Sequence, residues 1–395
     1  MQTDYDIIII GAGLAGGCLA LALADSGLRI AIIEATTREQ RFASESGDRA
    51  LALANGTVKQ LQSLGIWNAI QAQATAIKNI HISDQGHFGK TRLSAEREQV
   101  DALGYVITAR IIEDHVAALL EAAPQITQWC PARVAGLSSS FNEANVSIKQ
   151  ADRSEILTAR LVVGADGGQS TVRKLLEIGQ QVTDYGQTAL VTTVKTTKHH
   201  ANTAYERFTA SGPLALLPTV DGQSSVVWTR STEEAEALMA GSEADFLAQL
   251  QDCFGYRLGA LRLTAPRRAF PLKLIRAEKM QQGRIVIIGN AVHQLHPVAG
   301  QGFNLGLRDL IDLADALRLQ MHDGLDIGEQ RFLENYVRAR VKDHNQVIGF
   351  TDSVVKLFSN QSSLLAVARN TGLTVLDLVP GAKSYLAKQA MGLGR

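Results

Sequence analysis

The chain opens on an uninterrupted apolar run. Residues 5–10, Tyr-Asp-Ile-Ile-Ile-Ile, are mostly β-branched, as expected of a parallel strand covered on both faces. The apolar stretch over residues 14–26 predicts a helix, and residues 29–33 predict a second strand ending at Glu34. Two later apolar strands run into glycine turns, Leu161-Val-Val-Gly164 and Arg284-Ile-Val-Ile-Ile-Gly289. The second leads into a helix with Leu307, Leu310, Ala314 and Leu317 on one face. Between these motifs, strand-like runs at 187–194, 204–209 and 224–230 precede a helix near 243–253. Beyond Asn345 the apolar positions cluster as in helices: Val354, Val355, Leu357 and Phe358, then Leu364, Leu365 and Val367. A last group, Leu373, Val375, Leu376, Leu378 and Val379, precedes Pro380-Gly381.

Strand–turn motifs near residues 5, 161 and 289 must share one sheet. They predict an α/β, Rossmann-like dinucleotide domain that is discontinuous over 1–75, 101–178 and 274–345. The insert 179–273, joined by 76–100, reads as a mostly antiparallel β-sheet substrate domain, and 346–395 as a helical C-terminal segment. A length of 395 residues supports this division, being too long for one core. With 46% hydrophobic and 20% charged residues, wholesale disorder is excluded. Lys+Arg and Asp+Glu are both 39, so nothing draws the chain to nucleic acid at long range. The balance shifts only past Asn345, where five bases (Lys356, Arg369, Lys383, Lys388, Arg395) face two acids, Asp352 and Asp377.

Three widely separated cysteines, Cys18, Cys130 and Cys253, fit neither a disulfide framework nor a metal cluster and predict a reducing, cytoplasmic compartment. Residues 7–24 lack charge for about the length of a bilayer span. Two acids and no base precede them, however, and Gly11, Gly13, Gly16 and Gly17 interrupt them, so they read as strand, turn and helix.

The chemistry lies in the glycine turns. In Gly11-Ala-Gly13-Leu-Ala-Gly16 the first glycine permits the turn, the second admits a pyrophosphate and the third lets the helix pack on the strand. The N-terminus of that helix points unpaired N–H groups at the pyrophosphate, and Glu34 is placed to accept hydrogen bonds from a ribose. The second constellation is Gly164-Ala-Asp166-Gly167-Gly-Gln-Ser170-Thr-Val-Arg173, with Ser170 placed to cap a helix. The third runs from Gly289-Asn290 through His293 and His296-Pro297-Val-Ala-Gly300-Gln301-Gly302-Phe-Asn304 to Asp309. No second GxGxxG occurs, so a separate nicotinamide domain is not expected.

These three motifs together resemble those of the FAD-dependent aromatic hydroxylases, and the third, with Gly212-Pro213-Leu-Ala-Leu-Leu-Pro218, resembles the ubiquinone-biosynthesis group. The resemblance implies that Gly11, Gly13, Gly16 and Glu34 hold the ADP half of FAD and that Arg49 and Arg110 approach its flavin side. It places Asp166 with both FAD and the transient reductant NAD(P)H. Pro297, Gly300, Gln301, Gly302 and Asn304 would lie along the flavin and its ribityl chain. Asn290 stands where the wider family usually has Asp and keeps only an uncharged hydrogen bond.

The implied reaction is hydroxylation of a polyprenylated phenol with NAD(P)H and O₂. His293 and His296 are the visible acid–base candidates, though either can instead orient the loop, and no carboxylate or Cys cluster completes a metal site. Tyr205, Pro218 and Trp228 are candidates for the ring pocket. Two other functions fit such residues: an FAD-dependent isoprenoid reductase or dehydrogenase without O₂ activation, and a non-catalytic prenyl-lipid escort, against which the intact flavin loop argues. A polyprenyl substrate implies work at the inner membrane surface or with other ubiquinone-biosynthesis proteins. The basic C-terminal segment, with Leu373–Val379, Lys383, Lys388 and Arg395, is the expected docking element.

Overall fold

The N-terminal apolar run is a strand buried on both faces. In the computed structural model, which describes residues 3–43, 45–151, 153–297, 300–358 and 363–393, Tyr5–Ile10 lies parallel between Arg153–Gly164 and Ile30–Ile33. Ile7 and Ile9 share a core with Leu19, Val116 and Leu310 of the helices, whereas Ile8 and Ile10 pack on the other side with Val146, Ile148 and Val162. Neither face meets water, which is why the strand shows no polar alternation. Ile126–Trp129 and Ile285–Ile287 extend this parallel sheet on either side. The antiparallel strands Arg133–Ser139 and Ala144–Gln150 continue it beside the first half of Arg153–Gly164. The helix expected over 14–26 spans Leu14–Leu23. It stops there because the Ser26 hydroxyl donates to the Leu23 carbonyl and Gly27, at φ +77°, reverses the chain.

A second, nine-stranded sheet is built around the long strand Gln180–Thr196, which pairs antiparallel with Gln223–Ser231 and Arg268–Ala277. Beyond them lie Gly212–Pro218 and Thr203–Thr209, then Asn79–Asp84 and Lys90–Ser94 from an earlier part of the chain. One face is covered by the helices Thr232–Ala240 and Glu243–Phe254, whose Leu238, Phe246 and Leu250 pack on Leu190, Leu214 and Trp228. The other face looks into a cavity shared with the first sheet. A small sheet, Ala50–Ala54 with Gly104–Thr108 and Thr75–Ile77, closes one side of it.

The C-terminal part forms the helices Gln330–Phe358, Ser363–Leu378 and Pro380–Ala390. They pack on the substrate sheet, with Leu373 against Phe208 and with Ala387 and Met391 against Leu93 and Leu103. Arg395 lies outside the described residues, as do the side chains of Val355, Lys356, Leu357, Phe358, Leu364, Leu365, Val367, Arg369 and Leu376. Among the described residues, no helix is long and apolar enough to cross a membrane.

Candidate active site

Both large sheets line one cavity of about 1840 Å³. That is more than a single drug-sized ligand of roughly 300–1,000 Å³ needs. At its first end the three glycines divide their work as expected. A Cβ on Gly11, at φ +103°, would lie 2.6 Å from the Ala165 carbonyl oxygen, and one on Gly16 would lie 1.9 Å from that of Gly11. A Cβ on Gly13 would meet nothing within 4 Å. Gly13 lines the cavity and caps Leu14–Leu23, which has no side-chain cap and no acid in its first turn. Its N–H groups are therefore open to an anion.

Glu34 accepts from the Ala12 N–H at 2.9 Å and from the Thr36 N–H and hydroxyl at 2.9 and 2.8 Å, which holds it beside the turn. Asp166 accepts from the Val172 N–H at 3.0 Å through one oxygen, while its other oxygen is buried without a partner. Arg49 lines the cavity. Arg110 does not: it is held by Asp48 at 2.7 Å and by the Phe42 carbonyl, so its expected place beside the cofactor is corrected to that of a buttress.

At the late loop, Gly300 sits at φ +61° and a Cβ there would lie 3.0 Å from Ala52 Cβ, so both conformation and space favour glycine. It caps Gln301–His322, another helix with no side-chain cap and no acid in its first turn. Pro297, Gln301 and Gly302 line the cavity at this end, and Asn290 faces it from the tight turn Gly289–Ala291. Asn304 lines the cavity as expected, but its side-chain amide serves as a clamp. Its Oδ1 accepts from the Ala54 N–H and Thr57 hydroxyl at 3.0 and 2.7 Å, and its Nδ2 donates to the Ala52 and Gly300 carbonyls at 3.0 and 2.8 Å. Two accepted and two donated bonds exhaust a side-chain amide.

Two bare helix N-termini, an open glycine and an unpartnered buried carboxylate oxygen in one cavity fit a long diphosphate dinucleotide such as FAD.

The two histidines separate. His296 lines the cavity edge-on to Tyr185 at 5.4 Å, and burial pushes it down to about 4, so it is neutral near pH 7. His293 turns away from this cavity, with Nε2 3.3 Å from the fully buried Asp309. That carboxylate also takes Arg340 at 2.7 Å and His344 at 2.8 Å. His293, Asp309 and His344 are spaced to hold a metal ion, but the guanidinium already seated on Asp309 opposes a cation there.

Two of the three ring-pocket candidates, Trp228 and Pro218, are corrected by strand alternation. On Gln223–Ser231 the cavity is lined by Ser225, Val227 and Thr229, which turns Trp228 to the opposite face, fully buried against Phe246 with ring centroids 5.6 Å apart. Tyr205 reaches the wall, but its ring packs on Phe254 and His81 at 5.5 and 5.8 Å. Pro218 is buried outside the lining, where Leu217 stands instead. The residue missed is Glu206, an acid in phase with Ala204 and Phe208 on the cavity face of Thr203–Thr209. Its sequence signal was that phase, one carboxyl on an otherwise apolar strand face.

Comparison with known proteins agrees with this geometry. The family described as FAD binding domain matches residues 4–351. A ubiquinone hydroxylase, UbiL, of Rhodospirillum rubrum is 34% identical over 98% of this chain and 89% of its own length. The 3-demethoxyubiquinol 3-hydroxylase of Escherichia coli is 30% identical over 98% of both chains. The crystal structure of p-nitrophenol 4-monooxygenase from Pseudomonas putida superposes with a TM-score of 0.81 over 100% of this chain and 99% of its own, at 17% identity, a likeness of fold.

Proposed function

The chain belongs to the FAD binding domain family, and from that premise we propose that it hydroxylates the aromatic ring of a polyprenylated phenol in ubiquinone biosynthesis. The observation that carries this reading is the composition of the single cavity: a dinucleotide-fitting half continuous with an apolar sheet face that can take a ring and its tail. When bound and reduced by NAD(P)H, FAD would activate O₂, the oxidant, so that one oxygen atom enters the ring and the other leaves as water. The protein's part is to seat the dinucleotide on Gly13 and the Leu14–Leu23 helix and to set the open end of Gln301–His322 beside the flavin. Ala189, Val191, Ala215 and Val227 then exclude water around the ring. His296, neutral and wedged against Tyr185, orients the loop.

The test is product analysis after feeding a short-tailed prenyl phenol with NAD(P)H and O₂ to the flavin-loaded protein. A hydroxylated product is expected, and its ring position is read directly. Reductant consumption that yields only a reduced or dehydrogenated isoprenoid would overturn the reading.

The substrate's tail gains about 0.8 kcal/mol per buried CH₂, roughly 4 kcal/mol per isoprene unit, so the substrate stays in a bilayer. We place membrane docking on the C-terminal helices by their apolar side chains. Val375 and Leu378, at i and i+3 near the end of Ser363–Leu378, are exposed together with Val379 in the link to the next helix, and the exposed Tyr385 also lines the cavity. The expected role of Lys383 is corrected: it is buried and paired with Asp377 at 2.6 Å. Leu373 points inward. Replacing Leu378 and Val379 together by Asp should cut co-sedimentation with lipid vesicles at least tenfold while leaving turnover of a short-tailed phenol intact. Undiminished sedimentation would remove this face from the docking surface.

A further inference from the structure

We propose that Glu206 takes the proton of the substrate's phenolic O–H, an inference that rests on the reaction class above and names the acid–base group it lacks. The proposal stands first on placement. Glu206 projects from the middle of Thr203–Thr209 into the cavity, and the side chains level with it across the sheet are Ile82, Ala215 and Val227. Before it on the same face Ala204 packs with Ala50 and Val106. The strand bearing Ala50 carries Ala52, whose carbonyl is fixed by Asn304 next to Gly300 of the flavin loop. After it Phe208 packs with Val354 and Leu373 of the C-terminal helices. The carboxyl therefore lies between the flavin-loop end and the tail end of one cavity, where the head of a tailed phenol must sit.

It stands second on chemistry. Among the described residues Glu206 has no hydrogen-bond or ion-pair partner in the protein, and it is the one carboxyl of this sheet that lines the cavity, where Tyr205 is the sheet's other ionisable lining side chain. A carboxyl kept among apolar neighbours works against stability, so the fold itself gives no reason for it. A ligand with an acidic O–H does. In the transfer the phenol O–H bond breaks, its electron pair stays on the ring oxygen, and an O–H bond forms on a Glu206 oxygen; nothing is oxidised or reduced. The phenolate is the more electron-rich ring. Burial pushes the carboxyl up to about 7, which brings it within about three units of a phenol near 10.

The groups facing it, Ile82, Ala204, Phe208, Ala215, Val227, Val354 and Leu373, do not titrate. Of the cavity's other titratable side chains, Tyr205 is next to Glu206 on the same strand, with its ring packed on Phe254 and His81, and Glu34, Arg49, Glu113, Arg133, Asp166, His296, Arg308, Asp343 and Tyr385 belong to elements outside this sheet. Below about pH 7 Glu206 is protonated and cannot accept, so kcat/KM for hydroxylation should fall on the acid side with that midpoint.

The experiment compares wild type, Glu206→Gln and Glu206→Asp, all flavin-loaded, on a short-tailed prenyl phenol from pH 5 to 9. Glu206→Gln should keep full FAD content and a KM within a few-fold of wild type, lose about 10²–10³-fold in kcat and lose the acid limb. Glu206→Asp should recover part of both. The folded pKa of Glu206 is raised, so its carboxylate costs stability progressively as pH rises from the unfolded value toward 7. The Gln protein should accordingly melt above wild type at pH 8 and level with it at pH 5. A Gln variant with wild-type turnover and an intact acid limb overturns the proposal. One that loses FAD overturns it too, by showing the carboxylate to be structural. Wild type without hydroxylated product would instead overturn the reaction class.

Discussion

Gly13→Val protein should fold and emerge without FAD, whereas Gly16→Val should not accumulate as folded protein. The two glycines sit in one turn and differ in what surrounds them. Gly13 has φ −72° and ψ −170°, extended backbone that valine adopts freely, and its Cβ direction is empty for 4 Å. The new side chain projects into the cavity in front of the Leu14–Leu23 N–H groups. Keeping a pyrophosphate from two such groups forfeits about 3–6 kcal/mol of charge-assisted hydrogen bonding, on the order of 10²–10⁴ in affinity. At Gly16 the Cβ would lie 1.9 Å from the Gly11 carbonyl oxygen and 3.1 Å from Ile9 Cγ2, so helix and strand cannot both keep their places. The measurements are flavin absorbance per protein and a circular-dichroism melt. A folded Gly13→Val protein with full flavin would mean that this turn is not the phosphate seat.

That contrast also shows which parts of the site are legible in a sequence. A glycine turn is local: strand, turn, helix and Glu34 lie within one short segment, and their spacing alone sets the geometry. The flavin loop is legible for the same reason as far as Gly300, but Asn304 is not. Its partners Ala52, Ala54 and Thr57 lie some 250 positions earlier, and only the folded chain shows its amide fully used. Trp228 misleads for a different reason. Both faces of Gln223–Ser231 are buried, one by the helices and one against the cavity, so alternation tells which residues share a face but not which face meets substrate. The large ring went to the side where Phe246 and Leu250 fill space around it. Glu206 sits on the emptier side, and its acid reads as a surface residue until the neighbouring strands show that Ala215 and Val227 lie level with it.

Arg340→Met should destabilise the protein by about 3–5 kcal/mol at pH 7, the cost of leaving a buried carboxylate without its cation. Arg340 is 3% exposed and Asp309 is not exposed at all. Asp309 stands on Gln301–His322, whose first turn lines the cavity, and it also binds His293 just before the flavin loop and His344 on Gln330–Phe358. Its carboxyl is held well below the usual carboxylate range: burial opposes the charge, but the interactions with His293 and His344 outweigh it, and the Arg340 guanidinium sits on the same carboxylate. Burial also lowers His344, so without the guanidinium the carboxylate loses its one permanent cation. The pH dependence has a definite sign. In wild type the stability that ionised Asp309 contributes is full above its unfolded pKa, near 4, and declines below it. In the variant Asp309 protonates more readily, so the gap between the two proteins should narrow as pH falls from 7 toward 4. Urea midpoints at pH 7 and pH 4.5 measure both statements, and flavin retention reports whether the loop still sits. A loss below about 1 kcal/mol at pH 7, or a gap that widens in acid, would show that Asp312 and Asp343, not Asp309, are the partners that make Arg340 matter.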